Sequence, residues 1–402
     1  MIVFLSSAAS DEFIQRCSEK YSKSEFVYVQ QKWDYSLAKA IFEIDSSVLF
    51  VSYPPLQTFP AGKKVCFKSI TKIENGFSIQ YCGFLNLPLF KQKTQVKSIV
   101  KIIKRALKER EETELTIITH CFFPQSFRVI KALKKQLAVK VFTVVPDLPE
   151  FAGSVYSKSK FYSFFFKKYN LEKLSYKNVP DGYICFSEYQ MNYLEKDKHH
   201  IVMEGFADID YIDSIEPTHL KTDKKIFLYV GTLKESYGVN RLIDAFEKAN
   251  FGNAELWLYG NGDSVDYLKE RERKGIFYKG VADRKEIIAL EKSAYVLLNP
   301  RPIEDEYSKC SFPSKLLEYM ATGTPVLTTR LWSLQEQYFD KLFFFGDSSV
   351  QGILSGLLEF YKKDEEEVKK VGARAAEFVR REKNAHIQAK RIIDFIKGDK
   401  CE

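Results

Sequence analysis

The stretch from Tyr295 to Thr328 decides the fold class of this chain, and it reads YVLLNPRPIEDEYSKCSFPSKLLEYMATGTPVLT. Its apolar start is typical of a strand buried on both faces of a parallel sheet. Pro313 suits the first turn of a helix that Ser311 or Ser314 could cap, and Gly323 marks the end of that helix before a second apolar run. A strand, a loop, a helix and a strand in this order are typical of α/β domains.

The predicted loop ends at a helix N-terminus, where unpaired backbone N–H groups and a partial positive charge attract anions. Arg301 and Lys315 add positive charge there, so we expect a ligand that carries phosphate. Glu318 lies four residues after Ser314 on the same helix face, where it could accept hydrogen bonds from the hydroxyls of a sugar or a ribose. Spacing alone is equally compatible with an ordinary helix start and a solvated glutamate.

Two pieces of this stretch, N-P-R-P from Asn299 and S-F-P-S-K-L-L-E-Y-M-A-T-G-T-P-V from Ser311, resemble the donor-binding segment of retaining glycosyltransferases of family four. The closer resemblance is to the branch found in bacterial capsule and exopolysaccharide assembly. It implies an α/β GT-B fold, in which two Rossmann-like domains flank a cleft. The family commonly has two glutamates eight positions apart; Glu318 matches the second, and Cys310 stands at the position of the first. Pro-Ser-Lys together with Arg301 is the expected local substitute.

A glycine loop is predicted after the strand Ile226 to Val230, where Gly231 and Thr232 resemble the family's contact to the donor diphosphate. Family members commonly carry basic residues at the positions of Thr232 and Tyr237. Their absence leaves the diphosphate to backbone N–H groups, Arg301 and Lys315, with Lys234 as a further candidate. The segment ending at Val281 resembles the edge that holds the nucleotide base. The expected donor-binding residues are Gly231, Thr232, Lys234, Val281, Arg301, Ser314, Lys315 and Glu318.

A second group of candidates follows strands of the first half of the chain. The segment F-T-V-V-P-D-L-P-E-F-A-G from Phe142 places Asp147 at a strand end, and ligands of doubly wound sheets bind off that edge. The family commonly has a histidine at the position of Pro146, so Asp147 is the ionisable group left to face the transferred sugar. His120 also follows a strand, but we favour its reading as a structural histidine. The resemblance thus implies catalytic roles for Glu318, Asp147, Lys315 and Arg301.

The length of 402 residues suits two domains, which we expect at residues 1–206 and 207–380. The resemblance implies that the first domain binds the acceptor and the second binds the nucleotide sugar. Residues 381–402, the end of a basic helix predicted from Val368 to Lys397, are expected to cross back to the first domain. Seven scattered cysteines without a Cys-x-x-Cys pair indicate a reducing compartment and argue against a zinc site or a disulfide framework. No apolar run approaches the about 18 residues of a membrane span, and no basic leader precedes the first strand, so we expect a cytosolic protein.

The net charge of +8 is concentrated in two segments of the first half. Residues 94–110 predict an amphipathic helix with a basic face, which is either solvated or in contact with anionic lipid. The run from Tyr156 to Lys177 interleaves six lysines with eight aromatic residues, including Phe164, Phe165 and Phe166. It suits a membrane interface, an acceptor groove or stacked single-stranded nucleic acid. We favour the membrane interface because no nucleic-acid-binding motif accompanies it.

Together with the resemblance, which implies retention at the anomeric carbon, these features predict a hexosyltransferase that is peripheral on the inner membrane face. It would move sugar from a nucleotide sugar, in particular a UDP-sugar, to a lipid-linked saccharide in capsule or exopolysaccharide synthesis. We expect no cofactor, no metal and no nucleic-acid partner. Two alternatives stay open. A catalytically inactive GT-B partner subunit would fit the missing family glutamate, histidine and basic residues, and a nucleotide-sugar epimerase could have a related architecture.

Overall fold

The computed structural model describes residues 1–21, 29–54, 56–74, 76–151, 168–272, 275–304 and 306–398. The chain divides into two compact units. The first comprises Met1–Cys185, Gln190–Met203 and Ala389–Glu402, and the second comprises Phe186–Tyr189 and Glu204–Gln388. The main change of unit therefore falls just before Phe206, the residue after which we expected the boundary, and the last residues of the chain belong to the first unit.

The first unit contains an eight-stranded sheet in the order β10-β9-β8-β7-β1-β2-β5-β4. Its strands are β1 Ile2–Ser6, β2 Leu49–Ser52, β4 Ile70–Glu74, β5 Phe77–Tyr81, β7 Leu115–His120, β8 Val139–Val145, β9 Gly182–Cys185 and β10 His199–Val202. All neighbours pair in parallel except β4 and β5. A separate antiparallel pair joins β3 Cys66–Phe67 to β6 Phe84–Leu85. The helices are Asp11–Tyr21, Val29–Ile44, Lys91–Glu109, Pro124–Lys134 and residues 168–174.

The second unit contains a six-stranded parallel sheet in the order β13-β12-β11-β14-β15-β16. Its strands are β11 Lys225–Val230, β12 Ala254–Tyr259, β13 Ile276–Gly280, β14 Val296–Asn299, β15 Val326–Thr328 and β16 Phe343–Phe344. The helices are Ile209–Asp213, Val239–Ala249, Val265–Glu270, Arg284–Ser293, Glu306–Cys310, Ser314–Ala321, Val350–Tyr361 and Glu365–Glu382. Numbered within the unit, the strand order is 3-2-1-4-5-6, the order of Rossmann domains.

Apolar residues on both faces of the strands explain why both sheets are covered by helices. The central residues of β11 are all buried, and Phe227 packs on the rings of Phe246 and Phe251 at 5.5 Å between centroids. β2 and β9 are likewise buried along their whole length. Continuous apolar strands of this kind are found in parallel sheets with helices on each face.

The basic helix predicted from Val368 to Lys397 is wrong as a single element. The structure has two helices, Glu365–Glu382 and Ala385–Lys397, separated at Lys383 and Asn384. The side chain of Asn384 accepts a hydrogen bond from the N–H of Ile387 at 2.9 Å and so caps the second helix. The ammonium of Lys383 is buried against Glu204, which holds the break in place.

Candidate functional site

The candidate donor site lies at the reversal of strand order in the second unit, between β11 and β14. Ligands of doubly wound sheets bind outside the carboxyl ends of the strands at such a switch point. The buried hydroxyl of Tyr319 bridges the N–H and the C=O of Val230 at 2.8 and 2.9 Å. This contact ties the helix Ser314–Ala321 to the end of β11, so the predicted anion-binding helix and the glycine loop belong to one edge.

Two glycines allow the loops at this edge to approach each other. Gly238 has φ +80°, and a Cβ there would lie 2.1 Å from the carbonyl oxygen of Pro300. The glycine loop therefore packs directly on the loop that follows β14. Gly260 has φ +138°, and its Cβ would lie 1.8 Å from the carbonyl oxygen of Gly231. The Gly-x-Gly turn after β12 thus supports the glycine loop through close packing.

The helix Ser314–Ala321 begins differently from the prediction. Its N-cap residue is Pro313, which makes no side-chain hydrogen bond to the helix, so the expected caps Ser311 and Ser314 are wrong. Ser311 is buried, whereas Ser314 is exposed as the first helical residue. In the first turn the N–H of Leu316 donates to the C=O of Pro313 at 2.8 Å, and no side chain of the N-cap residue bonds to the helix. The N–H groups of Ser314 and Lys315 precede this bond, at the end of the helix where anionic ligands bind.

Arg301 is the least compensated cation at this edge. Its side chain is 9 % exposed, and its guanidinium carbon lies 5.1 Å from the ring centroid of Tyr237 and 4.8 Å from that of Tyr307. In the described part of the chain no carboxylate lies within ion-pair distance of Arg301, and its Nε has no hydrogen-bond partner. A buried charge without a counter-charge is costly, so an anionic ligand would stabilise this arrangement.

Lys315, in contrast, is held between two carboxylates. Its Nζ lies 2.8 Å from Oε1 of the fully buried Glu291, and it also contacts Oε1 of Glu318. The other oxygen of Glu318 lies 3.7 Å from the guanidinium of Arg284. Arg284 in turn pairs with Asp208 at 3.4 Å. We call Lys315, Glu291, Glu318 and Arg284 the lysine cluster.

The lysine cluster shifts the pKa values of its members in different directions. The pKa of Glu291 is raised to about 7. Burial is the main cause, Lys315 opposes the shift, and the charge of Glu318 adds to it. Burial would also raise the pKa of Glu318, but Lys315 and Arg284 lower it below its usual value. Burial would lower the pKa of Lys315, yet the two carboxylates raise it. Glu318 is therefore the ionised acceptor of the cluster at neutral pH.

Of the predicted residues in the glycine loop, Thr232 holds the loop through its backbone and Lys234 lies beside Arg301. The carbonyl of Thr232 accepts a hydrogen bond from the hydroxyl of Tyr229 at 3.0 Å, so its backbone holds the loop. Nζ of Lys234 lies 5.8 Å from the ring of Tyr237, the same ring on which Arg301 rests. Lys234 and Arg301 therefore share one tyrosine, as expected for two residues at one site.

Val281 stands at the end of β13 and is 73 % exposed. An apolar side chain so open to solvent leaves its backbone accessible, which fits the predicted contact with a base.

Sequence reasoning missed Glu291 and Arg284, because both occupy a helix that reads as an ordinary charged surface helix. It also missed Tyr319, whose role at Val230 depends on a contact across the sheet edge.

Asp147 and His120 both lie in the first unit, at the ends of β8 and β7. Asp147 is exposed, and His120 is buried with its Nδ1 against the carboxylate of Asp34. Burial alone would lower the pKa of His120, but Asp34 raises it well above its usual value. Asp34 is fully buried and also accepts hydrogen bonds from the N–H and the hydroxyl of Ser7, each at 3.1 Å. His120 is therefore held by a specific buried partner, Asp34, as expected for a structural histidine.

The described ranges contain neither a candidate metal centre nor a membrane-spanning helix. No group of three or more His, Cys, Asp or Glu side chains there could hold a metal ion. Within the same residues, no helix has both the length and the hydropathy needed to cross a membrane.

Comparison with known proteins supports the reading of the second unit. Residues 211–378 match the family model of glycosyl transferases group 1. No curated protein matches the chain in sequence. The chain is similar in structure to sucrose-phosphate synthase from Thermosynechococcus elongatus, with a TM-score of 0.68 at 15 % identity over 99 % of this chain and 98 % of that one.

Two further structures contain bound nucleotides. One is trehalose-6-phosphate from E. coli bound with UDP-2-fluoro glucose, with a TM-score of 0.62 at 9 % identity over 99 % of both chains. The other is HepE of Anabaena in complex with UDP, with a TM-score of 0.59 at 12 % identity over 99 % of both chains. These similarities confirm the predicted α/β fold with two Rossmann-like domains. The protein therefore has a GT-B fold, and residues 211–378 match the family model of glycosyl transferases group 1.

Proposed function

We propose that the protein transfers a hexose from a UDP-sugar to a lipid-linked saccharide, with retention at the anomeric carbon, in the synthesis of capsule or exopolysaccharide. The family match and the UDP-bound structural neighbours support the donor class. The single observation that carries the proposal is Arg301, a buried cation without a carboxylate partner in the described part of the chain. Arg301 follows β14 at the switch point of the sheet, and its guanidinium packs on Tyr237 next to the glycine loop.

In the proposed reaction, an acceptor hydroxyl oxygen bonds to the anomeric carbon, the bond between that carbon and the diphosphate breaks, and the hydroxyl proton passes to the leaving diphosphate. Negative charge grows on the diphosphate as its bond breaks. Arg301 and the N-terminus of the helix Ser314–Ala321 stabilise this charge. Their contribution needs little reorganisation, because Tyr237 and Tyr307 already hold the guanidinium in place. Lys234, beside the same Tyr237 ring, adds a flexible charge from the glycine loop.

Glu318 holds the hydroxyls of the donor in this proposal. An ionised carboxylate has about four lone-pair sites, and the hydrogen bond from Lys315 uses one of them, while Arg284 at 3.7 Å contributes only its charge. The remaining sites can accept hydrogen bonds from sugar or ribose hydroxyls. The low pKa of Glu318, which Lys315 and Arg284 cause, keeps it an acceptor throughout the neutral range.

Lys315 acts chiefly by positioning Glu318. Its charge is compensated by Glu291 and Glu318, so it offers less attraction to a diphosphate than Arg301 does. The two cations that the sequence assigned to the diphosphate therefore have different roles in the proposal. Arg301 meets the diphosphate, and Lys315 orients the carboxylate that meets hydroxyls.

Asp147, exposed at the end of β8, faces the transferred sugar in this proposal, since the family's histidine is replaced by Pro146. The lipid-linked acceptor is supported by the helix Lys91–Glu109. Its apolar face is buried through Ile99, Ile103 and Leu107, and its exposed face is rich in lysine. A basic exposed face of this kind suits an anionic membrane surface. The aromatic run at 156–167 lies outside the described residues and supports membrane contact by its composition alone.

A donor screen tests the proposal. Purified protein is incubated with a panel of nucleotide sugars and membrane extract, and release of nucleoside diphosphate is measured. We expect release from a UDP-sugar, and sugar incorporated into lipid-extractable product. Absence of release from every donor would favour the inactive partner subunit. Conversion of the donor sugar without release of nucleoside diphosphate would favour the epimerase.

A further inference from the structure

A cavity of about 210 Å³ lies in the first unit, beside the carboxyl ends of β1 and β2. Its polar and aromatic lining includes Ser7, Gln31, Tyr53, Lys91, Gln95 and Phe123. β1 lies beside β7 at the point where the strand order of this sheet reverses. The cavity therefore occupies the position at which doubly wound sheets bind ligands.

The wall behind Ser7 carries buried charges that cancel. Asp34 pairs with His120, whose pKa is raised well above its usual value by that carboxylate despite its burial. The hydroxyl of Ser7 donates to Asp34 and accepts a hydrogen bond from the amide nitrogen of Gln31 at 3.1 Å. This network fixes Ser7 and Gln31 in place, and it contributes no net charge to the cavity.

Lys91 is the one charged residue among those that line the cavity in the described part of the chain. Its ammonium contacts the carbonyl oxygen of Leu56 and lies 3.3 Å from the hydroxyl oxygen of Thr58. An ammonium has three donors, so these contacts leave one for a ligand. Burial lowers the pKa of Lys91 to about 8, which shows that its surroundings do not compensate its charge.

Two glutamine side chains of the lining also have unused capacity. Oε1 of Gln95 is buried in a residue that is 2 % exposed, and Oε1 of Gln125 is buried as well; neither has a hydrogen-bond partner among the described residues. Buried polar atoms are nearly always paired in folded proteins, so such unpaired acceptors point to a ligand that donates hydrogen bonds. Hydroxyl groups are donors and acceptors at once, which matches amide side chains.

We propose that this cavity binds one monosaccharide unit that carries an anionic group, a phosphate or a carboxylate, and that this unit is part of the acceptor. The anionic group pairs with Lys91. The sugar hydroxyls bond to Gln95, Gln125 and Gln31, and an apolar face of the ring packs on Phe123. The identification of the bound sugar as part of the acceptor rests on the proposed transferase function. The proposal that the cavity binds an anionic sugar does not depend on that function.

Isothermal titration calorimetry on the full-length protein without donor tests the inference. The probes are glucose 1-phosphate, galactose 1-phosphate, glucuronate, neutral glucose and inorganic phosphate. We expect at least one anionic sugar to bind about tenfold or more tightly than both glucose and inorganic phosphate. Comparing the sugar phosphates with glucuronate shows whether the cavity prefers a phosphate or a carboxylate. Binding of inorganic phosphate as tight as that of the sugar phosphates, or no binding of any anionic sugar, would overturn the inference.

Variants locate the site. Lys91→Met should remove the preference for anionic sugars, whereas Lys91→Arg should keep it. Gln95→Leu should weaken the binding of neutral and anionic sugars to the same extent. The matched control is Lys97→Met, which changes an exposed lysine of the same helix and should bind like wild type. Thermal unfolding establishes that each variant folds, and equal affinities for Lys91→Met and Lys97→Met would refute the assignment.

The dependence on pH gives a second readout. Anion binding favours the charged form of Lys91, so the affinity for the anionic sugar should fall as pH rises through about 8, while Lys91→Arg should show no such fall. Failure of the two proposals can be told apart. Anionic sugar binding without donor turnover refutes only the transferase. Donor turnover with the same acceptor KM in Lys91→Met and Lys91→Arg refutes only the cavity assignment.

Discussion

The second unit leaves a buried cation uncompensated at its switch point, whereas the first unit pairs its most buried charges with each other. Arg301 lies between two tyrosine rings without a carboxylate in the described residues, and Asp34 is matched by His120. A buried ion pair such as Asp34 and His120 needs no ligand to balance its charge. A buried cation without a carboxylate partner is stabilised when an anionic ligand binds. In our proposals the edge of the second unit therefore binds a strongly charged group, and the edge of the first unit binds hydroxyls with one anionic group at Lys91.

The largest effect is expected for Glu318→Ala, which removes the carboxylate that we assign to the donor hydroxyls. Hydrogen bonds to a charged group contribute about 1.5–3 kcal/mol each, so losing two should reduce sugar transfer by roughly a hundredfold or more. Transfer is measured as radiolabelled sugar in lipid extracts. The control Glu359→Ala changes an exposed glutamate paired with Lys363 and should retain activity. Wild-type turnover in Glu318→Ala would remove the residue from the site.

Lys315→Met tests whether the lysine cluster positions Glu318. It leaves Glu291 and Glu318 facing each other, so we expect a loss of about 1–3 kcal/mol in the free energy of unfolding, measured by urea denaturation. Transfer should fall more than the affinity for nucleoside diphosphate does. If Lys315→Met and an Arg301 variant lose diphosphate affinity equally, the distinction between the two cations is wrong.

Membrane contact is expected to depend on charge and on the aromatic run. Each lysine near an anionic surface contributes about 1 kcal/mol, so binding to anionic vesicles should fall steeply with salt. A variant with Phe164, Phe165 and Phe166 changed to Ser should sediment less with anionic vesicles, and neutral vesicles serve as the control. Equal sedimentation of the variant, or indifference of wild type to anionic vesicles at low salt, would remove the main support for a lipid-linked acceptor.

A further effect concerns pH and Glu291. Its pKa is raised from 4.5 to about 7 in the folded protein, chiefly by burial. The folded state therefore holds a proton that the unfolded state has lost, and this contribution to stability is present below about pH 4.5 and lost as pH rises through about 7. Compared with Glu291→Gln, wild type should lose stability over this range in urea unfolding. Parallel stability curves for the two proteins would contradict the shift.

The sequence predicts the fold well because continuous apolar strands, helical periodicity and glycine turns are local patterns. The strands around Leu115, Val139, Gly182 and Ile226 are found where the patterns place them. The long basic helix was wrong because the break at Lys383 and Asn384 depends on a buried contact with Glu204, far away in sequence.

The candidate site was predictable only in part. Arg301, Lys315 and Glu318 lie in one recognisable stretch, but their different roles depend on what surrounds them. Glu291 neutralises Lys315 from another helix, and Asp34 meets His120 across 86 positions of sequence. Such pairings between distant residues leave no periodic or motif signal, so they become visible only in the folded structure.

The affinity of the Arg301→Gln variant for UDP compared with uridine tests the central claim most directly. Arg271→Gln is the matched control, because Arg271 also stacks on a tyrosine, at 3.6 Å from the ring of Tyr267, but is paired with Asp244. Calorimetry should show that Arg301→Gln weakens UDP binding by about tenfold to a hundredfold and leaves uridine binding unchanged, since a charged hydrogen-bonded pair contributes about 1.5–3 kcal/mol. Equal losses for UDP and uridine, or no loss for either, would show that the diphosphate does not bind at Arg301.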